Sequence, residues 1–186
     1  MRSDAKANRE AVLAAASEQI AAHGVDVALT TIAKSAGVGI ATLYRSFPTR
    51  EDLIRAVLDD LEKRMYEIIE TTTSGMSTDP AAAWRAFVSD TAGLRPGCLI
   101  PAFAVALMTQ GQMPPQLAEH RRRGLASIQA VLDQAKAAQL VRADLTATQF
   151  QLGIATITRP LPGLTAAEFA GQDDWLVDVF IRGLRP

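Results

Sequence analysis

Apolar side chains recur at every third or fourth position along most of the chain, the spacing that places them on one face of an α-helix. The first such stripe runs from Arg9 to His23, and Gly24 follows it where a helix would end. A longer stripe runs from Arg50 to about Thr71. No segment alternates apolar and polar residues for long enough to predict a strand. The pattern therefore predicts an all-α protein.

Proline, glycine and capping residues mark the helices of the C-terminal half. Asp79 precedes Pro80, a pair typical of an N-cap and the first helical residue. The predicted helices of this half cover residues 80–93, an apolar stretch at 98–108, and residues 115–140, 147–158 and 173–184. With the N-terminal segments, we expect about nine helices in total.

The stretch from Leu29 to Arg50 predicts two short helices joined by a tight turn. Gly37 supplies the turn with a residue free of Cβ constraint, and Gly39 is tolerated as the N-cap of the second short helix. Pro48 ends that helix, and Thr49 caps the next one. The stretch therefore reads as a helix-turn-helix followed by the start of a long helix.

Charge is unevenly distributed around this stretch. The 186 residues carry a formal net charge of −1, yet no Asp or Glu lies between Val27 and Arg50, where Lys34 and Arg45 also occur. A sequence pI near 6.1 excludes a uniformly basic, histone-like mode of binding. A local basic surplus is what a phosphate backbone would select, so this stretch is predicted to bind DNA.

Side-chain chemistry indicates candidate DNA contacts within the stretch. Thr30 and Thr31 lie in a first helical turn, where hydroxyl and backbone N–H groups can meet a phosphate, although a solvated turn explains either one equally well. In a major groove, Ile40 could touch a thymine methyl group and Arg45 could bind a guanine. The phenol of Tyr44 can reach a phosphate oxygen. Ile40 could equally be an ordinary surface hydrophobe.

Other classes of protein find little support in the composition. Cys98 is the single cysteine, and two histidines are too few for a structural zinc site, so neither a disulfide nor a metal is expected. The polar N-terminus predicts no signal peptide, and the longest apolar run is too short for a membrane span. We find no catalytic grouping and expect no cofactor. The expected location is the cytoplasm.

The block from Arg9 to Leu58, above all the string IAKSAGVGIATLYRSFPTREDL, resembles the DNA-binding domain of the tetracycline-repressor (TetR) family of bacterial transcriptional regulators. It departs from the family pattern at Ala28, Ala41 and Ser46. We accordingly predict a DNA-binding domain over residues 1–49 and a helical effector-binding and dimerisation domain over residues 50–186.

The resemblance implies that residues 39–42 and Arg45 approach the bases, while Tyr44 and Arg50 hold phosphates. The full predicted DNA-binding set is Thr30, Thr31, Lys34, Gly39, Ile40, Ala41, Thr42, Tyr44, Arg45, Thr49 and Arg50.

Large apolar and aromatic residues in the C-terminal half could line a cavity for an effector. Each of them could also be ordinary core, and His120 could be either a surface residue or a ligand contact. Because these segments carry few charges, a small and mostly apolar effector is expected. The predicted effector-binding residues are Met65, Trp84, Phe87, Phe103, Met108, His120 and Phe150.

The last two predicted helices are apolar over much of their surface, more than one domain needs to bury. A second copy of the chain would cover them in a four-helix contact, so a homodimer is expected. The predicted interface residues are Leu152, Ala155, Thr156, Trp175, Leu176, Val179 and Phe180.

These observations predict a homodimeric TetR-type regulator, most simply a repressor, that binds a pseudo-palindromic operator in double-stranded DNA and is released by a small apolar effector. Two alternatives remain open. One is a DNA-binding regulator that is controlled by a protein partner. The other is a helical ligand-binding protein or enzyme in which the N-terminal motif has no operator function.

Overall fold

The computed structural model describes residues 2–107, 112–159 and 172–186, and these ranges contain nine α-helices. They are α1 (Arg2–His23), α2 (Leu29–Ser35), α3 (Ile40–Ser46), α4 (Arg50–Gly75), α5 (Pro80–Gly93), α6 (Pro96–Leu107), α7 (Pro115–Ala137), α8 (Ala147–Ile157) and α9 (Gln172–Gly183). The predicted all-α class and number of helices are confirmed. Within these ranges every helix is too short or too polar to cross a membrane.

The first helix is longer than its apolar stripe. The stripe begins at Arg9, whereas α1 begins at Arg2. Residues 2–8 contain neither glycine nor proline, and Asp4 lies in the first turn, where the helix dipole stabilises a carboxylate. Helix propensity therefore extends α1 beyond the part that packs.

The chain divides into two compact units. The first unit comprises residues 1–62 and 98–114, and the second comprises residues 63–97 and 115–186. This division differs from the predicted boundary at residue 49. The reason is that Leu53 and Val57 of α4, together with Leu99 and Phe103 of α6, are buried in the same core as side chains of α1, α2 and α3.

The second unit is built from the rest of α4 and from α5, α7, α8 and α9 around a separate apolar core. Asp79 caps α5 by accepting a hydrogen bond from the backbone N–H of Ala82 at 3.0 Å. Thr146 and Gln149 form a capping box at the start of α8. The side chains in this core that are wholly buried include Phe87, Val88, Val131, Leu132 and Phe150.

Gly97 allows the first turn of α6 to lie directly on the end of α8. Its backbone N–H donates to Thr158 Oγ1 at 2.9 Å. A Cβ at this position would lie 2.1 Å from the carbonyl oxygen of Ala155 and 2.7 Å from the backbone nitrogen of Arg159. Both are main-chain atoms, so no side-chain rotation relieves the overlap.

We predict that Gly97→Ala lowers the free energy of unfolding by about 3 kcal/mol, because the added methyl group forces two backbones apart and breaks a partly buried hydrogen bond. Urea denaturation measures the change. Gly124→Ala is the matched control, since a Cβ there meets nothing within 4 Å. In the interior of α7 this control should stabilise by up to about 1 kcal/mol. Equal stability of Gly97→Ala and the wild type would contradict the close approach.

Candidate functional site

The helix-turn-helix is formed by α2 and α3. Gly37 connects them with a φ of +67°, the left-handed conformation that favours glycine. The turn is closed by a hydrogen bond of 3.0 Å from the Val38 N–H to the Ala33 carbonyl. Ile32 and Leu43 are buried between the helices, so the outward face of each helix is set by the packing of its inward face.

Most of the predicted DNA-binding residues lie on one exposed surface, which we call the reading surface. Thr42 is half-buried, and the other members on α2, at the start of α3 and along it are exposed. Ile40 and Tyr44 are large apolar side chains that remain 37% and 49% exposed. The exposed members are Thr30, Thr31, Lys34, Gly39, Ile40, Ala41, Tyr44 and Arg45.

The helix starts on this surface differ in how they are capped. The N-cap of α2 is Ala28, whose side chain forms no capping bond. Gly39 is the N-cap of α3, as predicted from the sequence. Thr49 and Asp52 cap α4 reciprocally. The Thr49 hydroxyl donates to Asp52 Oδ2 at 2.6 Å and accepts from the Asp52 N–H at 3.0 Å. The Thr49 hydroxyl is therefore already engaged within the protein.

Arg50, which is predicted to hold a phosphate, binds backbone carbonyls of its own chain. Its guanidinium donates to the carbonyl oxygens of Val25 and Val27, the latter at 2.9 Å, and the side chain is half-buried. These carbonyls belong to the loop between α1 and α2. Arg50 therefore ties the start of α4 to the loop that leads into the helix-turn-helix.

Arg9 is a structural contact that the sequence pattern does not reveal. Its guanidinium carbon lies 4.4 Å from the centre of the Phe47 ring, and Nη1 donates to the carbonyl of Ser46 at 3.4 Å. This contact places a cation at the C-terminal end of α3, where the helix dipole favours it. No local spacing could predict it, because the two partners are 37 residues apart.

The cations of the reading surface are therefore few. Lys34 and Arg45 are exposed, and Arg45 lies back on its own helix, with Nη2 at 3.4 Å from Thr42 Oγ1. Farther along, Arg55 is paired with Glu51 at 2.7 Å, which raises the pKa of Arg55. The surface is thus mildly cationic, with apolar and hydroxyl groups at the start of α3.

Three of the predicted effector-binding residues meet in the second unit. Trp84, Phe87 and Phe150 lie with ring centroids 5.3–5.8 Å apart, and Phe87 and Phe150 are stacked at 17°. Phe180 joins them at 6.0 Å from Phe150. We call these four side chains the aromatic cluster. Such contacts stabilise a core beyond their buried area.

The structure does not bring the other predicted effector residues into this cluster. Phe103 is buried in the core of the first unit, together with side chains of α1 and α4. Met65 is half-buried on α4, and half-buried His120 has Nδ1 at 3.4 Å from Arg123 Nη2. Met108 lies outside the described residues.

The predicted dimer residues on α8 and α9 divide into exposed and packed members. Leu152, Trp175 and Val179 are 60%, 58% and 44% exposed, and Thr156 is also exposed. Ala155, Leu176 and Phe180 are half-buried. The Phe180 ring lies over Gly153, where a Cβ would be 2.4 Å from it, so Phe180 packs within its own chain.

Comparison with known proteins extends over both units. Residues 12–57 match the model of the bacterial regulatory proteins of the tetR family, and residues 79–186 match that of the SbtR-like transcriptional regulator C-terminal domain. An HTH-type transcriptional regulator of Staphylococcus aureus is 36% identical over 72 residues, which span 37% of each protein.

Two solved structures are similar over almost the whole chain. A TetR transcriptional regulator from Streptomyces coelicolor is 30% identical, with a TM-score of 0.66, over 96% of this chain and 98% of its own. The TetR-like regulator LfrR from Mycobacterium smegmatis, solved in complex with proflavine, is 26% identical, with a TM-score of 0.62, over 95% and 94%. These relatives are transcriptional regulators and not enzymes. The chain belongs to the TetR family of bacterial transcriptional regulators.

Proposed function

We propose that the protein is a cytoplasmic, homodimeric repressor that binds a pseudo-palindromic operator and leaves it when a small, mostly apolar effector binds. The observation that carries this proposal is the reading surface. It presents Ile40, Ala41, Tyr44 and Arg45 on one exposed helix face, in a stretch without any acidic residue. Short side chains at the start of α3 let that helix approach base edges, which a major groove requires.

One reading surface offers little affinity. Lys34 and Arg45 are its exposed cations. Each phosphate that a cation neutralises contributes only about 0.9 to the slope of log affinity against log salt, so two cations provide little electrostatic affinity. Two copies joined in a dimer would place two α3 helices in successive major grooves, about 34–36 Å apart. A dimer therefore belongs to the proposed mechanism.

Exposed apolar side chains on α8 and α9 support that dimer. Of the four large apolar side chains in the described part of the second unit that are exposed, three lie on these two helices and the fourth is Tyr66. Burying Leu152, Trp175 and Val179 against a second copy would remove them from water, the usual driving force of such interfaces.

The aromatic cluster supports an apolar or aromatic effector. LfrR, a relative of similar fold, was solved with the planar aromatic molecule proflavine. An effector in the second unit would act through α4, which contributes residues to both units. It needs only a difference in affinity between the operator-bound and free conformations, typically about 1–3 kcal/mol.

A regulator controlled by a protein partner is the second candidate. Thermal stabilisation of the purified protein by a panel of metabolites separates the two, because a true effector stabilises the folded state by mass action. Stabilisation by no compound, together with intact operator binding, would favour the protein partner.

The operator is expected to be found by selecting bound fragments from random DNA. The wild type should enrich a pseudo-palindrome, and Arg45→Ala should relax the preference at one base pair of each half-site, because a bidentate contact to guanine is lost. Tyr44→Phe should instead weaken binding to all sequences alike, through loss of a phosphate hydrogen bond. Unchanged preference and affinity in both variants would contradict the assignment of α3 as the reading helix.

Substitutions at Arg50 and at Lys34 should change the salt dependence of DNA binding differently. We expect Lys34→Ala to reduce the slope of log affinity against log salt by about 0.9 per copy, since one phosphate contact is lost. Arg50→Gln should weaken binding through the loosened loop at Val25 and Val27 and leave the slope nearly unchanged. Arg55→Gln removes one charge from the same helix and is the control. An Arg50→Gln slope equal to that of Lys34→Ala would identify Arg50 as a phosphate contact.

The proposed dimer interface on α8 and α9 is tested by introducing a negative charge into it. Val179→Glu should convert the protein to a monomer in sedimentation velocity at micromolar concentration and abolish operator binding, because a buried, unpaired carboxylate is strongly unfavourable. Tyr66→Glu, at an apolar residue with 40% exposure on α4, should leave the dimer intact. A wild type that sediments as a monomer would overturn this part of the proposal.

A further inference from the structure

Two buried polar side chains of α5 have no hydrogen-bond partner among the residues that the structure describes. They are Trp84 and Thr91, each only 3% exposed, and the atoms concerned are Trp84 Nε1 and Thr91 Oγ1. Their i, i+7 spacing places both on the inner face of the helix, with Phe87 and Val88 between them. An indole nitrogen can only donate a hydrogen bond, and a hydroxyl can donate or accept one.

Thr91 differs from the other buried threonine of the described chain. Thr72, which is 4% exposed, donates from Oγ1 to the carbonyl of Ile68 at 2.8 Å, the usual arrangement within a helix. The hydroxyls of Thr156 and Thr158 do the same, at 2.7 Å and 2.8 Å. The hydroxyl of Thr91 makes no such bond to the preceding turn. The Thr91 hydroxyl is therefore a buried donor that makes no hydrogen bond within its own helix.

The residues around Trp84 and Thr91 limit which chemical groups could accept a hydrogen bond from them. The core around Trp84 consists of apolar residues, and the rings of Phe87 and Phe150 lie 5.7 Å and 5.8 Å from its indole. A charged group would lose its hydration there without gaining an opposite charge. An uncharged acceptor on an aromatic body would instead satisfy a donor and keep ring contacts.

We propose that Trp84 and Thr91 are the polar recognition groups of the effector site, and that the effector is a neutral aromatic molecule with a hydrogen-bond acceptor, either a carbonyl oxygen or a ring nitrogen. This inference rests on the proposed function, because it places the effector beside the aromatic cluster. It adds that hydrogen bonds from Trp84 and Thr91 would let the protein distinguish an aromatic effector with an acceptor from an aromatic hydrocarbon without one.

The first test measures the ligand-free protein. Thr91→Val exchanges an unpaired buried hydroxyl for a methyl group of equal size, so the melting temperature should rise by about 2–4 °C. Thr72→Val is the matched control. Its melting temperature should fall by a similar amount, because the substitution removes a hydroxyl that is hydrogen-bonded in the wild type. A fall in both variants would overturn the proposal, since it would mean that Thr91 is satisfied within the folded protein, for example by an internal water.

The second test uses two pairs of probes of equal shape, quinoline with naphthalene and 9-fluorenone with fluorene, titrated by calorimetry at pH 7.5. The wild type should bind the member with the acceptor at least about tenfold more tightly, as expected for one buried hydrogen bond. Trp84→Phe and Thr91→Val should each reduce this preference while they retain binding of the hydrocarbon. Equal binding of both members, or binding of neither, would overturn the proposal.

Neither test involves DNA, so the failure of this inference can be distinguished from the failure of the proposed function. A wild type that selects an operator but shows no preference for acceptor-bearing probes remains a regulator, and only the effector chemistry would be wrong. A wild type that shows the preference but selects no operator would keep the ligand site and lose the proposed regulatory role.

Discussion

Both hydrophobic cores depend on one amphipathic helix, α4. Leu53, Ile54 and Val57 are buried in the core of the first unit, whereas Ile68 and Ile69 pack against the core of the second. Each such side chain contributes about 1.5–3 kcal/mol when fully buried, so both units rely on the uninterrupted 26 residues of this helix. The same helix begins at the cap next to the reading surface, so one continuous helix contributes residues to both units.

The reading surface shows how hydrogen-bonding capacity limits function. Thr49 and Arg50 both belong to the predicted DNA-binding set, and within the protein Thr49 is bonded to Asp52 and Arg50 to the carbonyls of Val25 and Val27. A group that is already bonded gains less from a phosphate than a free one does. Thr49 thus caps α4, and Arg50 ties the start of that helix to the loop that leads into the helix-turn-helix.

The apolar core of the second unit contains two polar groups that have no hydrogen-bond partner among the described residues. Most of its core is apolar, and Asp79 and Thr146 cap helices α5 and α8. Trp84 and Thr91 are the exceptions, because they bring donors into a medium where an unpaired donor is unfavourable. A polar group without a partner in such a core destabilises the folded protein by about 1–3 kcal/mol.

The sequence by itself determined the helices, the turn at Gly37, the exposed face of α3 and the membership of the family, because these depend on spacing within short segments. Only the tertiary structure decided that Arg50 binds loop carbonyls, that Arg9 supports Phe47, and that Phe103 belongs to the first core rather than to the aromatic cluster. Those outcomes depend on residues that are far apart in the chain and meet only when the helices pack, so no local pattern contains them.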